Sequence, residues 1–476
     1  MLDIKGCGSA EAVFRFFEEI SRIPHASANT APIAEYLVAF ADKKGLECIR
    51  DEADNVIIKK AATAGYENRP TVIIQGHTDM VPAVDQSIDF DFSTDALSLY
   101  VDGDFLRARG TTLGADDGIA VAYALALLDS SDIPHPAIEA VFTSDEEIGL
   151  LGAGALDASS LNGRMLINLD SDAEGVFTVG CAGGLRCDVI KSYEQTETDG
   201  HVYSLSVTSL RGGHSGVEID KGRTNAIKVL ADMLASLGDI RLISLDCGNA
   251  DNAIPKDASA TFISNKNLDI PLHTLTESTQ EELVSMGESA AEIICVGIYE
   301  PSREALGIED TKDIISLIQD IPTGVLAMSE DIEGLVETSE NLGMASLFGG
   351  SLALTVSVRS AVGEKKRAAA NNIKSIAAKH GAIYTERGEY PSWEYKRESY
   401  LRDTMCRVYR EIYNKEPEVV IIHAGLECGL LCDKIAGLDC LSLGPDNLEI
   451  HTPRERLSIS SATRVWEYLL EVLKNI

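Results

Sequence analysis

Several short stretches of this chain carry apolar side chains at consecutive positions rather than alternate ones. Among them are Val72-Ile73-Ile74, Ala140-Val141-Phe142 and Met165-Leu166-Ile167. A strand of that kind is covered on both faces, which in practice means a sheet sandwiched between helices. Helical patterns lie between them. Val13, Phe16, Phe17 and Ile20 share one face of residues 10–23, and Ile33, Leu37 and Phe40 share one face of 31–44. Residues 118–128 form an Ala-rich apolar run of helical length. The alternation predicts an α/β fold with a central mixed sheet covered by helices.

The middle of the chain follows another rule. Residues 203–208 and 352–358 alternate polar and apolar side chains, as half-exposed strands do. Residues 225–237 and 365–379 are amphipathic helical patterns. This predicts an α+β segment with antiparallel strands. A helix at 399–413 and a strand at 419–422 then return to the first style. At 476 residues the chain exceeds what one core usually organises. The simplest partition is one α/β domain made of residues 1–182 and 389–476, interrupted by an inserted domain at 183–388. The run Gly180-Cys181-Ala182-Gly183-Gly184 lacks the lysine and following helix of a phosphate loop, and reads as the junction.

Charge narrows the function. Asp and Glu number 75 against 41 Lys and Arg, a formal net charge of -34. So acidic a chain repels phosphate backbones and anionic lipid, which argues against nucleic-acid and membrane partners. The N-terminal residues lack a basic segment before an apolar core, and residues 119–128 are far too short to span a bilayer. The cysteines form no C-x-x-C pair and read as buried thiols. The expectation is a cytoplasmic protein.

Four segments concentrate metal-type ligands. Gln75-Gly76-His77-Thr78-Asp79 and Ser144-Asp145-Glu146-Glu147 each follow an apolar strand, as does Asn168-Leu169-Asp170-Ser171-Asp172. Gly114-Ala115-Asp116-Asp117-Gly118 opens the Ala-rich helix. Open α/β sheets bind ligands beyond the carboxyl ends of their strands. Imidazole with carboxylate suits zinc, manganese or cobalt. Several converging carboxylates repel one another unless cations neutralise them, and two cations bridged by one carboxylate can use them all. Taken singly, each segment is more often a helix cap or a solvated charge run; together, and in this order, they point to a metal centre. Of the neighbours Glu146 and Glu147, one can ligate while the other faces a water. The residues alone do not say which. His423, Cys428 and Cys432 offer a competing zinc set, but with only three ligands on an apolar segment.

These motifs resemble those of the dinuclear zinc exopeptidases of the aminoacylase and carboxypeptidase G type, most closely the branch that splits Xaa-His dipeptides. The resemblance spans nearly the whole chain. It is carried by the segments at 76–82, 114–118, 145–149 and 168–170. Arg211-Gly212-Gly213-His214-Ser215-Gly216, Asn252-Ala253-Ile254-Pro255, His423-Ala424-Gly425-Leu426-Glu427-Cys428-Gly429 and His451-Thr452-Pro453 carry it as well. The resemblance implies a zinc-exopeptidase-like catalytic domain with an inserted α+β lid. It implies two divalent ions, Zn2+ with Co2+ or Mn2+ as alternatives. His77 and Asp170 hold one ion, Glu147 and His451 the other, and Asp116 bridges them, with a cis peptide after it. Glu146 becomes the general base for a metal-bridging water, and Asp79 orients His77. In the lid, His214 polarises the scissile carbonyl, usually in the partner subunit's site. Asn252 and Arg359 hold the substrate carboxylate, and Gly425 lines the pocket. The implied function is metal-dependent hydrolysis of Xaa-His dipeptides such as carnosine by a homodimer joined through its lids. Other readings are a tripeptidase, an N-acyl amino acid deacylase, or a metal-binding relative that has lost catalysis. The intact Glu146 argues against the last.

Overall fold

The consecutive apolar residues at 72–74 lie in the middle of a sheet whose two faces are both covered. The computed structural model describes residues 4, 7–298, 302–330, 332 and 334–476. The chain divides into two units, residues 1–181, 395–421 and 426–476 in the first and 182–394 and 422–425 in the second.

The first unit contains an eight-stranded mixed sheet. Its centre is parallel, in the spatial order Ile138–Thr143, Val72–His77, Met165–Asn168 and Asp439–Ser442. Every residue of the first three strands is buried, which is why alternation is missing from their sequence. Helix Ala115–Asp129 lies on Val72–His77 and buries nearly all its side chains. Ile119, Val121, Leu125 and Leu127 are 2% exposed or less, and each such burial contributes on the order of 1.5–3 kcal/mol. The approach is close enough that a Cβ on Gly76 would meet Ala120 Cβ at 2.4 Å. On the outer side, Tyr123 donates to the Ala462 carbonyl at 2.7 Å and stacks on Trp466. Helix Ile459–Asn475, which carries Trp466, packs on Tyr400–Tyr413, whose N-terminus is capped by the Ser399 hydroxyl.

The second unit is built on a nine-stranded sheet whose strand pairs are all antiparallel. Strand Ser351–Ser360 shows why the sequence alternates there. Leu352, Leu354, Val356 and Val358 are fully buried against helices Ala226–Ser236, Ile308–Asp320 and Gly363–Lys379. Among the described residues no helix is long and apolar enough to cross a membrane, and no cysteine forms a disulfide.

Candidate metal centre and active site

Parallel strands end on the same side of a sheet, so residues just beyond their carboxyl ends converge. His77 is the last residue of its strand and lies opposite Thr143 in the neighbour, from which Ser144 to Glu147 depart. On the other side Gln75 pairs with Asn168, two residues before Asp170. The start of helix Ala115–Asp129 supplies Asp116, where the helix is kinked and the Asp116–Asp117 peptide is cis. A loop after the last sheet strand supplies His451.

Asp116 faces two histidines with its two oxygens. Its Oδ1 lies 3.1 Å from His77 Nε2, and its Oδ2 lies 3.0 Å from His451 Nε2. Asp170 Oδ1 lies 3.7 Å from His77 Nε2, while Glu147 Oε1 lies 2.9 Å from His451 Nε2. The candidate ligand groups among the described residues are therefore His77-Asp116-Asp170, Asp116-Glu147-His451 and His77-Glu146-Glu147, each with its ligand atoms within 4.8 Å of one another.

The electrostatics ask for cations. Burial pushes the Glu146 carboxyl up to about 8, with Glu427, Glu147 and Asp116 adding to it against the pull of His77. Burial and then Asp117 raise Asp170. Burial also works against the Asp116 charge, but the His451 and His77 contacts outweigh it and hold that carboxyl low. The same contacts with Asp116 and Glu147 drive His451 up to about 10. The crowded carboxylates thus need positive charge beside them. Divalent cations meet that need and require the imidazoles neutral. Glu147 Oε1, buried and close to His451, makes no hydrogen bond. Two nitrogens and three carboxylates around a shared bridge fit a pair of borderline cations such as zinc.

Asp79 is placed behind this cluster. The His77 Nδ1 donates to the Asp79 backbone carbonyl at 3.0 Å, with the carboxylate 3.4 Å away. That leaves Nε2 facing the cluster, the usual division of labour for a ligand histidine. The Asp79 carboxylate also accepts from the Ser27 hydroxyl and from the backbone N–H groups of Glu146 and Glu147, at 2.8, 2.9 and 3.3 Å. Asp79 therefore holds His77 through its backbone carbonyl and the turn that carries the two glutamates through its carboxylate.

Two buried carboxylates escaped the sequence reading. Glu427 is fully buried, and its Oε2 accepts from Gln75 Nε2 and Thr143 Oγ1, both at 2.6 Å. It joins the ends of the two strands that deliver His77 and Glu146. It lies inside the quoted 423–429 segment, where His423, Gly425 and Cys428 drew attention and this glutamate did not. Glu455 is 3% exposed and contacts the Asp116 turn. No local pattern marks it beyond its place four residues after His451.

The remaining expected residues lie in the second unit. His214 sits on a two-residue strand, with Ala253 as its ladder partner, and Ser215 N–H donates to the Asn252 carbonyl at 2.8 Å. The Asn252 side chain is exposed. His214 Nδ1 accepts from the backbone N–H groups of Gly216 and Val217, at 3.1 and 3.2 Å. Backbone donors are unambiguous, so Nδ1 is the unprotonated nitrogen and Nε2 carries the hydrogen. Burial and then Arg359 lower the His214 pKa, which keeps the ring neutral. Arg359 donates to the Tyr390 hydroxyl at 2.9 Å, while its buried Nε has no partner. The Tyr390 ring would lie 2.8 Å from a Cβ on Gly425, so only glycine fits there. His423 hydrogen-bonds Ser339 at 2.7 Å. It belongs to none of the candidate ligand groups among the described residues.

Known proteins are similar to this chain in sequence and fold. A family model described as "Peptidase family M20/M25/M40" matches residues 73–475. The cytosol non-specific dipeptidase of Escherichia coli is 35% identical over 98% of both chains. The crystal structure of aminoacylhistidine dipeptidase from Vibrio alginolyticus superposes with a TM-score of 0.90 at 34% identity, covering 98% of this chain and 97% of that one. Aminopeptidase PepT from Bacillus cereus shares the fold, with a TM-score of 0.57 at 16% identity over 98% of each chain.

Proposed function

The chain belongs to peptidase family M20/M25/M40, and from that membership we propose an Xaa-His dipeptidase that works with two divalent cations and Glu146. It is a metallopeptidase that hydrolyses dipeptides. The observation that supports the two-cation part of this reading is the two-sided placement of Asp116, one oxygen toward His77 and the other toward His451; the Xaa-His preference rests on the family resemblance. His77, Asp170 and Asp116 would hold one cation, and Asp116, Glu147 and His451 the other.

Bound there, two cations supply an acidified water and polarise the scissile carbonyl. The chain's own groups do the rest. Glu146 stands with Glu147 and His77 in one ligand group but lies outside the His451 group. It takes the proton from the attacking water and delivers it to the leaving amine. Asp79 fixes His77 and the Glu146-Glu147 turn together. The neutral His214 donates from Nε2 to the developing oxyanion. Arg359 and Asn252 hold the substrate's carboxylate, the guanidinium through paired hydrogen bonds, and Gly425 leaves room for the substrate beside Tyr390. We assign the protein to the cytoplasm and to a homodimer joined through the second unit, with His214 acting in the partner's site. The resemblance of the 211–216 segment supports that assignment. Mixing His214→Ala chains with Glu146→Gln chains tests it, since one site of each heterodimer then carries neither defect and activity returns.

The substrate assignment is tested by a panel on metal-reconstituted enzyme. Xaa-His dipeptides should show the highest kcat/KM. Tripeptides or N-acetyl amino acids turned over as well as Xaa-His would replace the reading with a tripeptidase or a deacylase. Other dipeptides turned over equally well would leave a dipeptidase without histidine preference.

A further inference from the structure

Helix Ala115–Asp129 begins after Gly114, which has no side chain to cap it. The N–H groups of residues 113–116 nevertheless all have a partner. Glu455 Oε2 accepts from Leu113 and Gly114 N–H at 2.7 and 2.9 Å. Its Oε1 accepts from Ala115 and Asp116 N–H at 2.9 and 3.2 Å, and from Asn447 Nδ2 at 3.2 Å. One carboxylate, buried to 3% exposure, thus satisfies four successive backbone donors at the positive end of a helix. A cap from so distant a residue is needed because the residue before the helix cannot provide one.

The same glutamate ends the loop that carries His451. Glu449 and His451 both adopt left-handed backbone conformations, with φ of 57° and 60°, which non-glycine residues keep only where the surroundings hold them. Glu455 N–H closes that loop on the Thr452 carbonyl at 3.1 Å. Its carboxylate is therefore attached at one end to the His451 loop and at the other to the backbone of Asp116. Those two residues meet at 3.0 Å.

We propose that Glu455 is a positioning residue that sets the spacing between the bridging Asp116 and His451, and so the affinity of the cation they share. The inference rests on the two-cation reading above. A mere helix cap would act on folding stability alone. A spacer acts on metal binding, and on one site more than the other, because His77 and Asp170 are held by sheet strands that Glu455 does not touch.

The test is Glu455→Gln, which keeps the size and turns one acceptor into a donor facing N–H groups. Metal-free wild type and variant are titrated calorimetrically with Zn2+ and with Mn2+, and Co2+ absorption reports the geometry of each site. Amide hydrogen exchange of residues 113–117 is followed in the metal-free proteins. The expected result is faster exchange at 113–117, with one ion bound about ten- to a hundredfold more weakly and the other much less affected. The weakened ion should be the one that His451→Ala also weakens. Faster exchange with two unchanged affinities would make Glu455 a helix cap only and overturn the proposal, as would equal weakening of both ions. Should Glu455→Gln not fold, Glu455→Asp carries the same test, since it keeps the charge and shortens the reach by one methylene. Wild type that binds fewer than two ions would fail the two-cation reading itself, an outcome distinct from a variant that matches a two-ion wild type.

Discussion

Gly216→Ala should slow the enzyme without touching a metal ligand. The added Cβ would stand 2.6 Å from the His423 carbonyl oxygen, 2.9 Å from His214 Cε1 and 3.1 Å from His214 Nδ1. Ordinary contact begins near 3.4 Å, so the turn has to give by about 0.8 Å. The His423 side of the clash is backbone and yields little, which leaves the His214 ring to move. That motion breaks the Gly216 and Val217 hydrogen bonds that keep the proton on Nε2. Misplacing a reacting group by about 1 Å can cost about a hundredfold in rate, so kcat should fall between about ten- and a hundredfold. Overpacking of this kind destabilises by about 1–3 kcal/mol, and Gly216 does not have a left-handed φ that would add backbone strain. The assay is steady-state hydrolysis of an Xaa-His dipeptide, with metal content measured in parallel and the imidazole nitrogens followed by NMR. Unchanged metal content, a fallen kcat and a lost Nε2–H signature are expected. A folded variant with native kcat would refute the argument that this ring must be held in place.

Glu146→Gln should lower turnover by about a hundredfold or more while metal content stays native; loss of metal would exchange the roles of Glu146 and Glu147. Chelation should abolish activity, Asp116→Ala should lose both ions, and His451→Ala should mainly lose one, as elemental analysis would read. Arg359→Ala should raise KM for dipeptides far more than it lowers kcat, and the rates on C-terminally amidated substrates should barely change. Glu340 is fully buried in the second unit, and neither of its carboxyl oxygens has a hydrogen-bond partner. Burial, opposed by Lys228, pushes its pKa from 4.5 up to about 8. The folded state therefore holds a proton that the unfolded chain releases, and stability falls by about 1.4 kcal/mol per pH unit as pH rises through that window. Denaturant unfolding of wild type and Glu340→Leu between pH 5 and 8 should show the slope reduced in the variant.

The strand-and-ligand order along the chain was readable because each local signal has one physical cause. A short run of consecutive apolar residues bounded by turn signals reads as a doubly covered strand, as Val72–His77 proved to be, and alternation at 352–358 reads as a half-covered one. Ligand-type residues just after such strands must converge when the strands are parallel. His77, the Glu146-Glu147 pair and Asp170 could therefore be gathered from sequence alone, with Asp116 at the helix start beside them, whereas the choice between the two glutamates came only from the family resemblance. Helix 31–44 was bounded correctly because Pro32 sits at its first turn and Gly45 ends it in a left-handed conformation.

What the local signals did not contain is everything that depends on residues far apart in sequence. Which nitrogen of His214 carries its proton follows from two backbone N–H groups in a turn. The second duty of Asp79, holding the backbone of Glu146 and Glu147, follows from how two strand ends meet. The competing zinc set of His423, Cys428 and Cys432 is not among the candidate ligand groups of the described residues. Glu427 and Glu455 show the limit most clearly. Each is a buried carboxylate whose donors lie hundreds of positions away, on Gln75 and Thr143 in one case and on residues 113–116 in the other. Hydrophobic period and residue type report how one segment meets solvent. The pairing of a buried charge with its donors is decided only when the chain closes on itself, because in the unfolded chain water satisfies both.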